Sequence, residues 1–275
     1  MKIPLRRSLP ALVLVLFGSM QPGLTGVGPD GRHIIIASLN IQRRIQSEGM
    51  FMELSRNPNI SRADILLLQE AEGEPESRKH AIAGLAGALG LPYSYASENR
   101  LSAPGGDGLV TLSRFPLRHT TVLPLKQFDL LVNTRRRIAL VHSVESPIGP
   151  LRLVNLHLDT RINTASRLQQ VEPVIVATQG ETVPVVIGGD FNTGYFRWLW
   201  HIMPISAWED QAGAVLRQLS GFGFSTPFAG AGPTHDHLRL RLDWIFLRGL
   251  RWFARGIEKL DFTDHHAVWA EVGLP

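Results

Sequence analysis

The sequence predicts an α/β domain in which two β-sheets pack face to face and helices cover their outer faces. Three observations lead there. Apolar runs of strand length outnumber helical segments; Ile34-Ile35-Ile36, Ile65-Leu66-Leu67-Leu68 and Val185-Val186-Ile187 are apolar on both faces, while other runs alternate. At 44% hydrophobic, the 275 residues can bury a sizeable core. No Pro/Gly/Ser-rich linker divides residues 31–275, so they read as one domain.

The first 26 residues stand apart. Lys2, Arg6 and Arg7 precede a short apolar run, Leu9 to Phe17, and a Gly/Pro-rich exit follows. That is the order of a secretory signal, and the run is short for a membrane span. No clean small-x-small cleavage site stands out, so a retained N-terminal anchor is the alternative. Export to the periplasm or medium, or anchoring at a membrane, is therefore expected. The chain has no cysteine, which excludes disulfides, thiolate metal sites and a cysteine nucleophile. Its 28 basic and 24 acidic residues give a formal charge of +4. Without the three basic residues of the leader the balance is 25 to 24, so attraction to a polyanion must come from a local patch.

In chain order, residues 33–39 read as a core strand ending at Asn40, and residues 41–56 as a helix stopped by Asn57-Pro58. Residues 64–69 form a second apolar strand, ending at Glu70. Residues 75–89 are helical, with Gly90 as the stop signal. A short strand at 93–96, a loop at Gly105-Gly106-Asp107-Gly108 and strands at 109–112 and 118–123 follow. Residues 137–145 and 151–158 make a hairpin across Ser146-Pro147-Ile148-Gly149-Pro150. The second arm carries His157 and Asp159. A helix over 164–178 takes Asn163 as its N-cap. The strand Val185-Val186-Ile187-Gly188-Gly189 then runs into Asp190, Phe191 and Asn192. Alternation along an extended chain directs Asp190 and Asn192 to the same side. Residues 195–208 are dense in aromatics (Tyr195, Phe196, Trp198, Trp200 and Trp208) and read as core, as a covering flap, or as contact with an apolar part of a substrate or membrane. A helix over 209–219, a strand over 241–247 containing Asp243, and a last strand over 267–272 after Thr263-Asp264-His265-His266 complete the chain.

The polar residues at these strand ends are Asn40, Glu70, His157, Asp159, Asp190, Asn192, Asp243, Asp264 and His265. Carboxylates and amides without cysteine make a hard-oxygen donor set, which suits Mg²⁺, Mn²⁺ or Ca²⁺ better than Zn²⁺. No phosphate-binding loop, dinucleotide fingerprint or nucleophile elbow is present. Taken singly, Glu70 or Asp243 reads as a cap or a surface ion pair, and His157 as a hydrogen-bonded core histidine. Thr234-His235-Asp236-His237 reads as a polar loop more readily than as a metal cluster.

Taken together and in order, Leu39-Asn40, Gln69-Glu70, Asn155-Leu156-His157-Leu158-Asp159, Gly189-Asp190-Phe191-Asn192, Leu242-Asp243-Trp244-Ile245-Phe246 and Thr263-Asp264-His265 resemble the motifs of the endonuclease/exonuclease/phosphatase (DNase I-like) superfamily. The match spans about residues 33–272. Two departures are visible: Thr263 stands where the family has Ser, and His266-Ala267 stands where many members have Pro. The resemblance implies a four-layer α/β/β/α sandwich of two mainly antiparallel sheets flanked by helices. It implies a Mg²⁺-type phosphoesterase in which Asn40, Glu70 and Asp264 hold the cation. His265, oriented by Asp243, would act as general base or transition-state partner. Asp190 and Asn192 would position the attacking water and a phosphate oxygen, and His157 would serve the leaving side. His266 competes with His265 for that role, which His265 takes because it directly follows Asp264. Arg137, from Arg135-Arg136-Arg137, is the candidate for a substrate phosphate.

The expected partner is a phosphoester, either nucleic acid or a phospholipid or sphingolipid head group, and the protein is expected to be a monomer. An inositol-phosphate-type phosphomonoesterase and a non-catalytic binding protein that keeps the fold are the alternatives.

Overall fold

In the computed structural model, the described residues are 27–28, 31–97, 108–131, 135–205 and 208–275. The leader and Gly105-Gly106-Asp107 lie outside them. The elements in order are β1 (Val27–Gly28), β2 (Gly31–Arg32), β3 (Ile34–Asn40), α1 (Glu48–Arg56), β4 (Ile65–Gln69), α2 (Pro75–Leu89), β5 (Tyr93–Ala96), β6 (Val110–Ser113), β7 (Leu117–Pro124), β8 (Ile138–Ser146) and β9 (Gly149–His157). They continue with α3 (Thr164–Gln179), β10 (Val185–Asp190), β11 (Arg197–Leu199), β12 (Met203–Ile205), α4 (Gln211–Ser220), β13 (Asp243–Arg248), β14 (Arg251–Glu258) and β15 (Ala267–Gly273).

A six-stranded sheet in the order β14-β15-β3-β4-β6-β5 packs on a five-stranded sheet in the order β13-β10-β9-β8-β7. Each sheet is antiparallel except for one central pair, β3 with β4 in one and β9 with β10 in the other. The strands alternate as their burial demands. Ile34, Ile36, Ile65 and Leu67 join the cluster between the sheets, while Ala37, Leu39, Leu66 and Leu68 join Met50 and Leu54 of α1 and Ile82 and Leu85 of α2. Val171, Val174 and Ile175 of α3 and Val215 and Leu219 of α4 pack on the other sheet. The layers are therefore α/β/β/α, as the resemblance implied.

The topology decides where the polar strand ends go. Asn40 and Gln69 are register partners at the carboxyl ends of one parallel pair, and His157 and Asp190 are partners at the carboxyl ends of the other. Asp243 opens β13 directly opposite Asp190, and residues 263–266 lead into β15 beside the end of β3. All of these ends meet at one edge of the sandwich.

The structure differs from the sequence reading in four places. Residues 41–47 are not helical: Asn40 Oδ1 accepts from Gln42 N (2.9 Å), and Gln42 and Arg43 take positive φ, so the chain turns before α1 begins at Glu48. Hydrophobic spacing there reflects Ile41 and Ile45 anchoring a loop in the core. The aromatic stretch, read without strands of its own, contains the hairpin β11–β12. The edge strand β14 was not foreseen, because its mixed Arg-Trp-Phe-Ala-Arg sequence carries no clean alternation and its pairing has a bulge between Trp252 and Ala254. Asn163 is the N-cap of α3 but makes no capping side-chain hydrogen bond; Thr164 N is capped by Glu209 Oε2 at 2.9 Å, and Asn163 holds Trp198 N and O at 2.6 and 3.0 Å.

Candidate active site

Two glycines make the approach to Asp190 possible. Gly188 faces the other sheet, and a Cβ there would meet Leu67 Cδ1 at 2.5 Å. Gly189 has φ +147°, and a Cβ there would lie 2.0 Å from Leu156 O. Under the site, Asn155 ties the sheets together, donating to Leu68 O (3.2 Å) and Val110 O (3.0 Å) and accepting from Gln69 Nε2 (2.8 Å).

Asp190, 1% exposed, is the hub. Its Oδ2 accepts from Asn40 Nδ2 (3.0 Å) and lies 3.3 Å from His157 Nε2 and 3.9 Å from His265 Nε2. Its Oδ1 accepts from Asn192 N at 2.9 Å. Burial pushes its carboxyl up, but His265, His157 and Asn40 outweigh burial and hold it well below the usual carboxylate range. His265 Nδ1 faces Asp243 Oδ2 at 3.0 Å, and Asp243 Oδ2 also accepts from Thr234 Oγ1 at 2.7 Å. Burial alone lowers the His265 pKa; Asp243, Asp190 and Asp264 reverse this and push it up to about 10. Burial moves Asp243 upward too, with His265 pulling against it, so the pair keeps its proton together. The buried Oδ1 of Asp243 has no hydrogen-bond partner among the described residues, which leaves His265 as its main charge compensation.

Thr263 keeps the hydroxyl that Ser would supply: its Oγ1 donates to Asn40 O (3.0 Å) and accepts from His265 N (3.2 Å). Asn192 has positive φ, so it sits in a turn instead of continuing the strand alternation; its Nδ2 donates to Leu158 O at 2.9 Å. The backbone turn, not the two-residue period, brings it to Asp190. His266 faces away from this group, with Nε2 2.9 Å from Asp236 Oδ1.

Glu70 follows the end of β4, beside Asn40. Its side chain is 21% exposed, and among the described residues its ion-pair contact is Arg43 Nε at 3.9 Å. Asp264 is 22% exposed, with Oδ2 3.4 Å from His235 Nε2. Among the described residues, no hydrogen bond reaches the Glu70 carboxylate, and only Gln42 N occupies Asn40 Oδ1. A carboxylate with no hydrogen bond among the described residues, a partly engaged carboxamide oxygen and a second, part-exposed carboxylate are a donor set whose chemistry fits a hard divalent cation. Asp159 and Arg137 belong to a different unit. Arg137 is 4% exposed, with Nε 2.7 Å from Asp159 Oδ1, and Asp159 Oδ2 also accepts from Gln170 Nε2 (2.7 Å).

Two residues escaped the sequence reading. Arg167 on α3 is fully buried and donates to Phe191 O (2.7 Å), Asp159 O (2.8 Å), Ile162 O (3.2 Å) and Gln211 Oε1 (2.9 Å), which braces the turn after Asp190. Burial lowers its pKa to about 10, which leaves it a cation at neutral pH. Nothing in its helical sequence context announces this. Thr234 supports Asp243 through its hydroxyl and was visible only as part of a polar loop.

Residues 37–265 match the model of the endonuclease/exonuclease/phosphatase family. The chain belongs to this family, whose members are phosphoesterases. Among solved structures it is similar to an endonuclease/exonuclease/phosphatase from Beutenbergia cavernae (TM-score 0.66, 18% identity, covering 88% of this chain and 72% of that one). It is also similar to the human Nocturnin catalytic domain with bound sulfate (TM-score 0.63, 17% identity, 88% and 94% covered). A third is ANGEL2, described as a 2′,3′-cyclic phosphatase in complex with adenosine-2′,3′-vanadate (TM-score 0.61, 16% identity, 90% and 97% covered). At these identities the likeness is one of fold. No curated protein matches the chain.

Proposed function

We propose that this protein is a divalent-metal-dependent phosphoesterase that hydrolyses a phosphodiester by water attack at phosphorus. The observation that carries the reading is Asp190, a buried carboxylate kept ionised between His157 and His265 at the edge where Glu70, Asn40 and Asp264 also end. Asp190 is the proton acceptor that orients the water. Its backbone partner Asn192 fixes the carboxylate's rotation and offers its amide oxygen to the same water. His265, held protonated by Asp243, donates from Nε2 to a phosphoryl oxygen as charge builds, so it acts as transition-state partner more than as base. His157 donates on the leaving side. Glu70, Asn40 and Asp264 would hold Mg²⁺, with Mn²⁺ or Ca²⁺ as substitutes, and the cation supplies charge neutralisation on non-bridging oxygens. Arg137 is 4% exposed and held by Asp159, which favours a bracing role for it over direct contact with a substrate phosphate.

A lipid head group is favoured over nucleic acid by the exposed apolar residues of the segment that follows Asp190 in sequence. Trp200 (70% exposed), Trp208 (76%), Ile202 (49%) and Met203 (51%) present an apolar face on and beside the β11–β12 hairpin, which follows Asp190 closely in sequence. The leader would place the monomer outside the cytoplasm, cleaved or as an anchor; the N-terminal mass of protein recovered from cells distinguishes the two. Hydrolysis of bis(4-nitrophenyl) phosphate and of phospholipid, sphingolipid, inositol phosphate and nucleic acid substrates tests the reading. Activity is expected with Mg²⁺ or Mn²⁺, lost with a chelator, and lowered about 10²-fold or more in His265→Ala. A folded protein that cleaves none of these substrates supports the non-catalytic alternative, and unchanged turnover in His265→Ala removes that residue from the mechanism.

A further inference from the structure

The polar loop Thr234-His235-Asp236-His237 is built into the site. His235 and His265 form an antiparallel β-bridge, with His266 N donating to Thr234 O (2.7 Å) and Asp236 N donating to Asp264 O (2.9 Å). Thr234 Oγ1 donates to Asp243, and Asp236 Oδ1 faces His266 Nε2 at 2.9 Å and Lys259 Nζ at 3.0 Å. The His235 ring is 8% exposed and packs edge-on against the His265 ring, with centroids 5.1 Å apart and planes at 71°. A loop serving only solubility would not bury one histidine against another.

The protonation of His235 follows from its backbone partner. Leu238 N donates to Nδ1 at 3.2 Å, so Nδ1 carries the lone pair and the neutral ring keeps its proton on Nε2. Nε2 lies 3.4 Å from Asp264 Oδ2, an ion-pair contact too poorly aligned or too long to count as a formed hydrogen bond in this structure. His235, Asp264 and His265 each offer a ligand atom within 4.8 Å of the others, so a metal held between two imidazoles and a carboxylate is the competing use. Such a metal needs the Nε2 lone pair of His235, and an Nδ1 that accepts from Leu238 denies it. The geometry points to His235 as a donor.

We propose that His235 is a positioning residue of the reaction, a neutral imidazole whose Nε2–H holds the Asp264 carboxylate in the orientation in which it faces the cation and phosphoryl group. Among the described residues no side-chain hydrogen bond reaches the Asp264 carboxylate, and His235 Nε2 at 3.4 Å is the side-chain donor in contact with it, so its partial exposure would otherwise let it rotate. The proposal rests on the phosphoesterase reading for its kinetic arm and on the fold alone for its spectroscopic arm.

The experiment compares His235→Gln, which keeps an N–H donor at the reach of Nε2, with His235→Phe, which keeps the ring volume and removes the donor. Thermal unfolding verifies that both fold. With bis(4-nitrophenyl) phosphate and Mn²⁺, His235→Phe is expected to lose about 10- to 100-fold in kcat with little change in KM, and His235→Gln to stay within about 3-fold of the parent. In an Asp264→Ala background, His235→Phe is expected to add nothing, because it acts through Asp264. Imidazole ¹⁵N shifts of the parent protein should show the Nε2–H form of His235. Equal rates in the Gln and Phe variants, additivity with Asp264→Ala, or an Nδ1–H ring would overturn the proposal. If the parent protein hydrolyses no phosphoester, the enzyme reading falls, and the ring's tautomer still decides whether His235 is the donor described.

Discussion

Asp190 shows how much chemistry one residue inherits from its neighbours. A carboxylate with 1% exposure is costly unless cations or donors surround it, and here Asn40, His157, His265 and the Asn192 amide do so. The Gly188-Gly189 step is the local condition for that arrangement. At Gly189 any side chain meets both an unfavourable φ and the Leu156 carbonyl, so β9 and β10 would have to separate. Gly189→Ala is therefore expected to destabilise the fold by about 3 kcal/mol or more. The urea midpoint measures this, and a loss under about 1 kcal/mol would show that the strand pair accommodates the change. At this scale the sequence was readable where a residue's role depends on its own type: acids, amides and histidines at strand ends. It was silent on Arg167, whose partners are distant in sequence, and it read His235 as part of a polar loop more readily than of a metal cluster, because the contacts of that ring form only in the fold.

Between elements, buried polar links stand out against the apolar packing. His142 of β8 is fully buried between Thr120 of β7 and Thr111 of β6, at 2.8 and 3.1 Å, and so joins the two sheets. Burial pushes its pKa down to about 4. The folded state resists a proton that the unfolded chain accepts near its ordinary value of about 6.5. The stability contribution is thus complete above about pH 6.5, falls as the pH drops toward 4, and levels off below. The loss approaches about 3 kcal/mol. Urea titrations between pH 7 and 4 should show this slope in the parent protein, with a smaller slope in His142→Gln; identical slopes would assign the acid sensitivity elsewhere. Helix α3 makes a similar point. The residue read as its cap, Asn163, instead grips the β11–β12 hairpin, and Glu209 from beyond the hairpin caps the helix. A local signal was reassigned because a longer-range partner offered both a donor and an acceptor.

For the molecule as a whole, the sandwich brings the carboxyl ends of two parallel pairs to one edge, and the β11–β12 hairpin that follows Asp190 in sequence exposes Trp200. With a nearly neutral body, binding to zwitterionic phospholipid or sphingolipid vesicles is expected to persist in 0.5 M salt, where binding to DNA would fall steeply as counterions are released. Replacing Trp200 and Trp208 together by Ala should weaken vesicle binding about 10-fold or more. A steep salt dependence with no effect of the tryptophans would favour a polyanionic substrate.

The sequence by itself determined the fold class, the order of most strands and the chemical types at their ends, because alternation, apolar runs and turn residues are properties of short segments. Six ordered motifs were enough to name the family. Tertiary structure alone decided that Asn40, His157, Asp190, Asp243 and His265 share one network, that Asp159 and Arg137 pair with each other, and that a polar loop contributes His235. Those outcomes depend on sheet register and on which buried charge finds which partner, and both are fixed only when strands far apart in sequence pack together.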